Sequence, residues 1–349
     1  MKKAFSILAI LAIPMLGICQ RGETRFEMDG LFDNREFKAD MQPQTIYAES
    51  FSPQIGFSYE GGTIMGGFTK IYEFGSTKEN RISPELILYF MYKAENFQSI
   101  FGVFPRSMLQ KKLPAAFEYD SISYYNPNIQ GTLFQFSKDR FQTEFYCNWY
   151  SRQTYTDREI FRLVSDGGFN MESGHTLGAG WYATLTHYAK TKTGIGENLY
   201  EKFMAYPYIH LNLQNAVPVL DNLYIDAGVL ASSIRNRGLE HFENCVGYLG
   251  NIYANYKRIE VRNTTYAGRK QMIYLDDHRA GLLFHQNDPF YNHSFYDRLD
   301  MNLVFLKSST FQGDIGWSLH FTPGQMHNQQ VIRIRYCLDS NGHHLNSTL

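Results

Sequence analysis

From about residue 22 to residue 337, apolar and polar side chains trade places at every second position, in short segments separated by turn-forming clusters. A period of two is the side-chain geometry of a β-strand with one oily and one wet face. In FQTEFYCNWYSRQ, Phe141, Thr143, Phe145, Cys147 and Trp149 share one face, and Gln142, Glu144, Asn148 and Arg152 the other. In YPYIHLNLQN, Ile209, Leu211 and Leu213 alternate with Tyr208, His210, Asn212 and Gln214. NLYIDAGV, DIGWSLHF and QQVIRIRY repeat the pattern, the last setting Ile332, Ile334 and Tyr336 against Val331, Arg333 and Arg335. No segment beyond the N-terminus has the apolar run a transmembrane helix requires. If the chain crosses a membrane, it does so as a closed barrel, because every backbone polar group in hydrocarbon must find a partner within the protein.

Clusters such as Glu60-Gly61-Gly62, Asn126-Pro127-Asn128, Ser137–Arg140, Asp221-Asn222 and Thr322-Pro323-Gly324 mark hairpin turns. A strand with its turn uses about 20 residues, so the sequence predicts an all-β, antiparallel up-and-down transmembrane barrel of about 16 strands, range about 14–18. Composition agrees: 25 Tyr and 27 Phe accompany a mean hydropathy of −0.36, as expected where half of each strand faces lipid and half faces water. Irregular stretches at Asn34–Pro43, Lys190–Glu201 and Asn287–Ser294 are candidate extracellular loops or inward folds, and the first is a candidate plug. The aromatic pairs Tyr124-Tyr125, Trp149-Tyr150, Trp181-Tyr182 and Phe290-Tyr291 are expected in interfacial girdles. The competing architecture is a soluble β-sandwich that uses these rings as its core.

The N-terminus fixes the compartment. Lys2 and Lys3 precede an apolar stretch, Ala4–Ile18, too short to span a bilayer, and Gly17 and Cys19 are small residues placed for cleavage before Gln20. This is the pattern of a secretory signal peptide. Leu16-Gly17-Ile18-Cys19 also resembles a lipoprotein box, from which Ile18 departs by its size. The expected organisation is a signal peptide at 1–19, an N-terminal segment with the first strand at 20–44, a barrel at 45–337 and a polar tail at 338–349. Cys147, Cys245 and Cys337 then remain, an odd number without CxxC spacing, which fits neither a metal cluster nor a dense disulfide framework. Without Lys2 and Lys3 the chain carries 31 basic and 34 acidic residues, so nucleic acid is not an expected partner.

In whole-chain pattern the sequence resembles the porin-like outer-membrane β-barrels of Gram-negative bacteria. The resemblance covers nearly all of residues 22–337 and rests on the signal peptide, the alternation, and phrases such as PELILYFMYKA, FGVFPR and DPFYNHSFYDRLDMNLVF. It implies insertion in the outer membrane and, often, passive diffusion of small solutes. Such barrels often end on an aromatic residue closing the last strand, whereas here Tyr336 is followed by CLDSNGHHLNSTL.

No motif of catalysis stands out: there is no GxSxG elbow, HExxH helix, phosphate-cradling Gly-rich loop or EF-hand spacing. Asp314, Ser318 and His320 share a strand face, but six residues of strand separate the outer two by about 20 Å, too far for a triad. His320, His327, His343 and His344 have spacings that specify no metal geometry, so no metal or cofactor is expected. The candidate functional set is the water-facing one, whose mixed charges tune selectivity at a constriction. It comprises Glu27, Asp29, Glu60, Glu85, Glu144, Arg152, His210, Asp226, Asp300, His320, Arg333 and Arg335, with Trp149, Trp181, Trp317 and Tyr336 expected to face lipid or the girdles. The expected partners are outer-membrane lipid and small hydrophilic solutes, with homo-oligomerisation left open. The alternatives are a non-channel barrel serving as receptor, adhesin or assembly partner, and a secreted glycan-binding β-protein.

Overall fold

The computed structural model describes residues 21–38, 41, 43–77, 81–171, 176–195, 197–238, 241–273 and 284–340. The expected signal peptide with Cys19, and the tail beyond residue 340 with His343 and His344, lie outside them. Sixteen antiparallel strands, β1 (Arg21–Glu36) to β16 (Gln325–Asp339), pair each with the next, and β1 pairs with β16 to close the barrel.

Both termini of the wall lie at one end. That end carries mostly tight turns, at 60–61, 94–96, 139–140, 257–258 and 308–310. At the first, Glu60 (φ 47°) and Gly61 (φ 82°) are both left-handed, the two-residue geometry whose twist matches the flanking strands. The opposite end carries the long connections 74–84, 106–127, 152–159, 189–199 and 269–294. In outer-membrane barrels short turns face the periplasm and long loops the exterior.

The outer surface is an apolar belt. Phe141, Phe145 and Trp149 on β7 (Phe141–Ser151), Ile209 on β10 (Tyr200–Asn212), and Ile315 and Trp317 on β15 (Phe311–Thr322) are all more than a third exposed. Their neighbours Glu144, Tyr146, Asn148, Tyr208, His210, Asp314 and Ser318 are buried. A charged outer belt would have excluded a membrane protein, and two stacked sheets would have excluded a barrel; the closed sheet and oily exterior make this a transmembrane barrel of the outer-membrane kind. Ile315 lies between Leu303 and Ile332 on the adjoining strands, all three exposed. Ile315→Arg is therefore expected to destabilise the barrel in lipid vesicles by about 2 kcal/mol or more. A urea midpoint in vesicles equal to that of the wild type would show that the belt does not lie there.

Two connections fold into the barrel. Residues 106–127 leave β5 (Phe97–Pro105), descend along the inner wall and return through a short helix, α1 (Asp120–Tyr125), to β6 (Asn128–Lys138). This insert packs Met108, Leu109, Leu113, Ala116 and Phe117 against Ile87, Tyr89, Met91, Ile100, Leu133, Tyr146 and Val164 of β4 (Glu85–Lys93) through β8 (Ile160–Phe169). Protein rather than water thus lies against the inner face of β4–β8, where this apolar patch stands among buried polar side chains such as Gln135, Glu144, Asn148 and Arg162, a departure from the expected wet interior. The second inward segment, residues 284–293, is a strap across the loop end. Phe284 packs on Tyr188 and Tyr200 at one side of the mouth, and Phe290 on Phe37, His320, His327 and Tyr296 at the other.

Two of the aromatic pairs expected in the girdles are inside instead. Tyr124-Tyr125 belongs to α1, and Phe290-Tyr291 to the strap, with Tyr124, Phe290 and Tyr291 buried. Residues 21–36, the start of the expected N-terminal segment, form wall strand β1, while Phe37 and Met41 beyond it join the interior cluster. Cys147, Cys245 and Cys337 are all unbridged.

Candidate functional site: the half-open lumen

With β4–β8 covered by the insert, the unfilled lumen is bounded by β9 (Leu177–Tyr188) through β16 and by β1. A cavity of about 630 Å³ runs there from Asn212, Asn222 and Glu260 at the turn end to Arg35, Tyr291 and Tyr296 beneath the strap.

One wall of this cavity is ionic. On β14 (Phe295–Lys307), Arg298 donates to Asp300 at 2.7 Å and reaches Asp120 of α1 at 3.5 Å. Arg333 grips Asp29 across the β1–β16 closure, and Arg335 lies 3.8 Å from Asp314. Arg35 donates to Asp33 at 2.6 Å and, from its other nitrogen, to the Tyr119 hydroxyl at 2.5 Å. Burial raises the Asp120 carboxyl, but Lys112 at 2.8 Å and Arg298 outweigh it and hold the group well below the usual carboxylate range. These pairs keep charge hydrated or compensated inside the wall.

The facing wall is aromatic. Tyr182 stacks on Tyr208 (5.8 Å between centroids, 16° between planes) and Tyr208 on Tyr206 (5.1 Å, 20°). Toward the turn end His210 meets Tyr224 at 5.1 Å, and Tyr224 stacks on Tyr253 (5.0 Å, 26°). Arg262 sits over the Tyr253 ring at 5.4 Å, and His210 Nδ1 lies 2.7 Å from Asp226.

The inserted segments are pinned from the wall. Arg162 of β8, 1% exposed, donates to the Phe117 carbonyl at 2.7 Å and to the Gln286 amide oxygen at 3.1 Å, so one guanidinium holds both insert and strap. Glu118 accepts two 3.0 Å bonds from Arg106 and lies 3.5 Å from Arg162. Lys202 of β10 donates to the Gln271 carbonyl (3.1 Å) and the Asn287 amide oxygen (3.0 Å), and its ammonium is 3.2 Å from His285 Nδ1. Insert and strap also bond directly, Tyr119 N–H to the Gln286 carbonyl and Asp288 N–H to the Ala115 carbonyl.

Of the residues singled out in the sequence, Asp29, His210, Asp226, Asp300, Arg333 and Arg335 stand on the inner face around the cavity. Glu27, Glu85, Glu144 and His320 also point inward but are engaged elsewhere. Glu27 pairs with Arg25, and Glu85 accepts from Asn128 and Gln130. Glu144 accepts from the Gln110 N–H of the insert, and His320 lies between Tyr296 and Gln329 under the strap. Glu60 and Arg152 do not face the lumen: Glu60 is exposed in the turn between β2 (Gln44–Tyr59) and β3 (Gly62–Glu73), and Arg152 is exposed just past the end of β7, where the alternation stops with the strand. Trp149, Trp181, Trp317 and Tyr336 stand on the outer face, Trp181 stacking on Phe141 and Tyr336 packing against Phe26 and Phe311. The tyrosine wall, Arg162, Lys202 and Arg298 were absent from that set.

Asp314, Ser318 and His320 are not brought together: Asp314 faces Arg335, Ser318 donates to Asp300, and His320 bonds Tyr296. Thr322 and His327 do meet, 3.4 Å apart. There, however, His327 Nδ1 accepts the Lys38 N–H at 3.1 Å, so the ring proton sits on Nε2 and points at the threonine. A base must present a lone pair to its nucleophile, and this one presents a proton. Among the described residues no group of three or more His, Cys, Asp or Glu side chains is placed to hold a metal ion.

Solved structures with this fold include the Pseudomonas aeruginosa outer membrane protein OprD, with TM-score 0.54 and 8% identity over 94% of this chain and 96% of that one. P. aeruginosa OpdO matches with TM-score 0.53 and 11% identity (92% and 98% covered), and Pseudomonas putida OprB with 0.51 and 10% (90% and 94% covered). No curated protein matches the sequence. A family model described as "Lipid A 3'-O-deacylase-type" matches residues 20–341, nearly the whole wall, and the chain belongs to that family of β-barrels.

Proposed function

We propose that the protein is a porin-like channel that passes small hydrophilic solutes across the outer membrane, narrowed by its own insert and strap. The observation that carries this reading is the cavity of about 630 Å³ between the ionic and tyrosine walls, continuous from the turn end to the underside of the strap. Sixteen strands enclose more space than side chains alone fill, and barrels of 16–18 strands typically leave an aqueous passage. Inward loops then set the width, and lumen charges set the selectivity. The OprD-like barrels share the architecture, which supports the reading at the level of fold. Reconstitution in a planar bilayer is expected to give stepwise conductance. Full insertion with no current would reject the channel.

The family description favours one second reading, an esterase that removes an acyl chain from lipid A. Against it stands the proton placement at His327, together with the engagement of Ser318 by an aspartate rather than a histidine. Mass spectrometry of lipid A from cells with and without the protein separates the readings. An unchanged acyl pattern is expected, and loss of one acyl chain would replace the channel by the enzyme.

A further inference from the structure

Asp29, Asp33, Asp300 and Asp314 each face an arginine of the wall, namely Arg333, Arg35, Arg298 and Arg335. One pair of inward carboxylates does not. Glu144 of β7 and Asp166 of β8 stand opposite each other in the ladder, both 1% exposed, and among the described residues no wall cation pairs with either. Glu144 Oε2 accepts from the Gln110 N–H and the Gln135 amide, at 2.9 and 2.8 Å. Glu144 Oε1 and both Asp166 carboxylate oxygens are buried without a hydrogen-bond partner.

The cation for this pair comes from the insert. Lys111 follows the residue whose N–H binds Glu144, and it borders the lumen cavity together with Gln110 and Gln142. Its ammonium is buried without a hydrogen-bond partner, and the carboxylates that act on it are Asp166, Glu144 and Asp226, in that order. Lys202 is the contrast: it is buried too, but it donates to the Gln271 carbonyl and the Asn287 amide oxygen. An ammonium that has lost its water and gained no acceptor is held by charge alone. In a native protein each buried group without a partner calls for a reason. Here four such atoms, on Lys111, Glu144 and Asp166, meet in one niche at the edge of the cavity.

We infer that the Glu144–Asp166 niche is a binding site for the primary ammonium group of a solute, and that Lys111 occupies it as a tethered stand-in for that group. The solute enters from the lumen along the path of the lysine arm, displacing it, and carries its cation on an unbranched alkyl chain, as a diamine does. A primary ammonium has three N–H donors to offer the bare carboxylate oxygens. The inference rests on the lumen being open to solutes, as the channel reading has it, and names the solute class.

The test is chemical rescue in the detergent-solubilised full-length barrel, with conductance measured separately. Lys111→Ala removes the arm beyond Cβ, which n-propylammonium replaces. Equilibrium binding of n-propylammonium is expected to be roughly tenfold tighter in Lys111→Ala than in the wild type, where the tethered lysine competes, and to weaken roughly tenfold when Asp166→Asn is added. Two comparison probes are expected not to compete: n-propanol, which has the arm without the charge, and tetramethylammonium, which has the charge without a donor. Limited proteolysis of the insert gives a second reading, with faster cutting in Lys111→Ala and wild-type resistance restored by n-propylammonium. Should Lys111→Ala fail to fold, refolding is run with each probe, and recovery of the heat-modifiable form with n-propylammonium alone is the expected result. Equal binding to the wild type and Lys111→Ala, competition by tetramethylammonium, or binding unmoved by Asp166→Asn would each overturn the inference, as would refolding no better with n-propylammonium than with tetramethylammonium. A conducting barrel that ignores the ammonium removes this site and leaves the channel. A silent barrel that meets these expectations upholds the site and removes the channel.

Discussion

Replacing Arg162 by Met is expected to raise the open-to-closed ratio of the reconstituted barrel about a hundredfold. From the wall, Arg162 reaches both insert and strap, donating to the Phe117 carbonyl and to the Gln286 amide oxygen, which also accepts from Tyr150. Its loss also leaves Glu118 buried with Arg106 as its remaining close cation. The Phe117 carbonyl and the Gln286 oxygen each lose a hydrogen bond from a charged donor, worth about 1.5–3 kcal/mol apiece. The barrel wall is closed by its own strand ladder and does not depend on this contact, so the loss falls on the docked state of the inserted segments. A loss of about 3 kcal/mol is worth about two decades in a two-state ratio. Gln286 adds to the bias, because it is a buried non-glycine residue with φ 56°, a conformation that persists only while its surroundings enforce it. Single-channel recording reads the effect, and limited proteolysis of the strap reads it independently of current. Arg162→Met with wild-type gating and wild-type protease resistance would show that the strap is held by something else.

The wall of this barrel was legible in the sequence because lipid and water impose opposite demands on alternate side chains, and that demand repeats on every strand. Phe141, Phe145 and Trp149 point outward while Glu144 and Asn148 point inward, as the alternation of FQTEFYCNWY requires. The filled half of the lumen left a weaker mark. In ELILYFMYK both faces of β4 are apolar, Leu86, Leu88 and Phe90 outside and Ile87, Tyr89 and Met91 inside. A strand oily on both sides is covered on both sides, and here the inner cover is the 106–127 insert. Tyr208 and Tyr224 fell on the wet face of their strands and read there as polar lining. Alternation sorts a tyrosine by its direction, and it cannot say whether the ring stays open to the lumen or is packed, as Tyr208 is against Tyr182 and Tyr206. Arg162 and Lys202 were missed for a related reason: the carbonyls and amides they bind belong to segments 45 to 124 residues away in the chain. Glu60 and Arg152 were misplaced because the pattern was carried past the strand ends, where a turn or loop releases the side chain from the pleat.

The strap carries two titratable groups that respond to acid in opposite directions, and separating them gives a pH test of its docking. Asp288 caps the short helical turn Pro289–Asn292, accepting the Phe290 N–H at 3.0 Å, and is 1% exposed. Burial pushes its carboxyl up to about 6, against the opposing pull of that N–H and of Arg298 and Arg35, while Asp120 adds to the rise. In a released strap the same carboxyl is solvated and titrates near 3.9. Between these values the docked strap holds a proton that the released strap has lost, so docking tightens as pH falls through 6 toward 4 and loosens as it rises. The gap between the two values corresponds to roughly 3 kcal/mol at most.

His285 works the other way. Burial and the Lys202 ammonium hold its imidazole neutral, its pKa well below the ordinary 6.5. A released ring takes up a proton below 6.5 that the docked ring refuses, so acid loosens the strap. In the wild type the two slopes oppose each other over about pH 4–6.5 and flatten the profile. Asp288→Asn keeps a capping side chain and removes its proton, which leaves His285 in control; open probability is expected to rise on acidification. His285→Gln leaves Asp288 in control, and open probability is expected to fall over the same range. Profiles that run parallel in the two variants would mean that neither group changes its surroundings when the channel opens, and hence that the strap is not the part that moves.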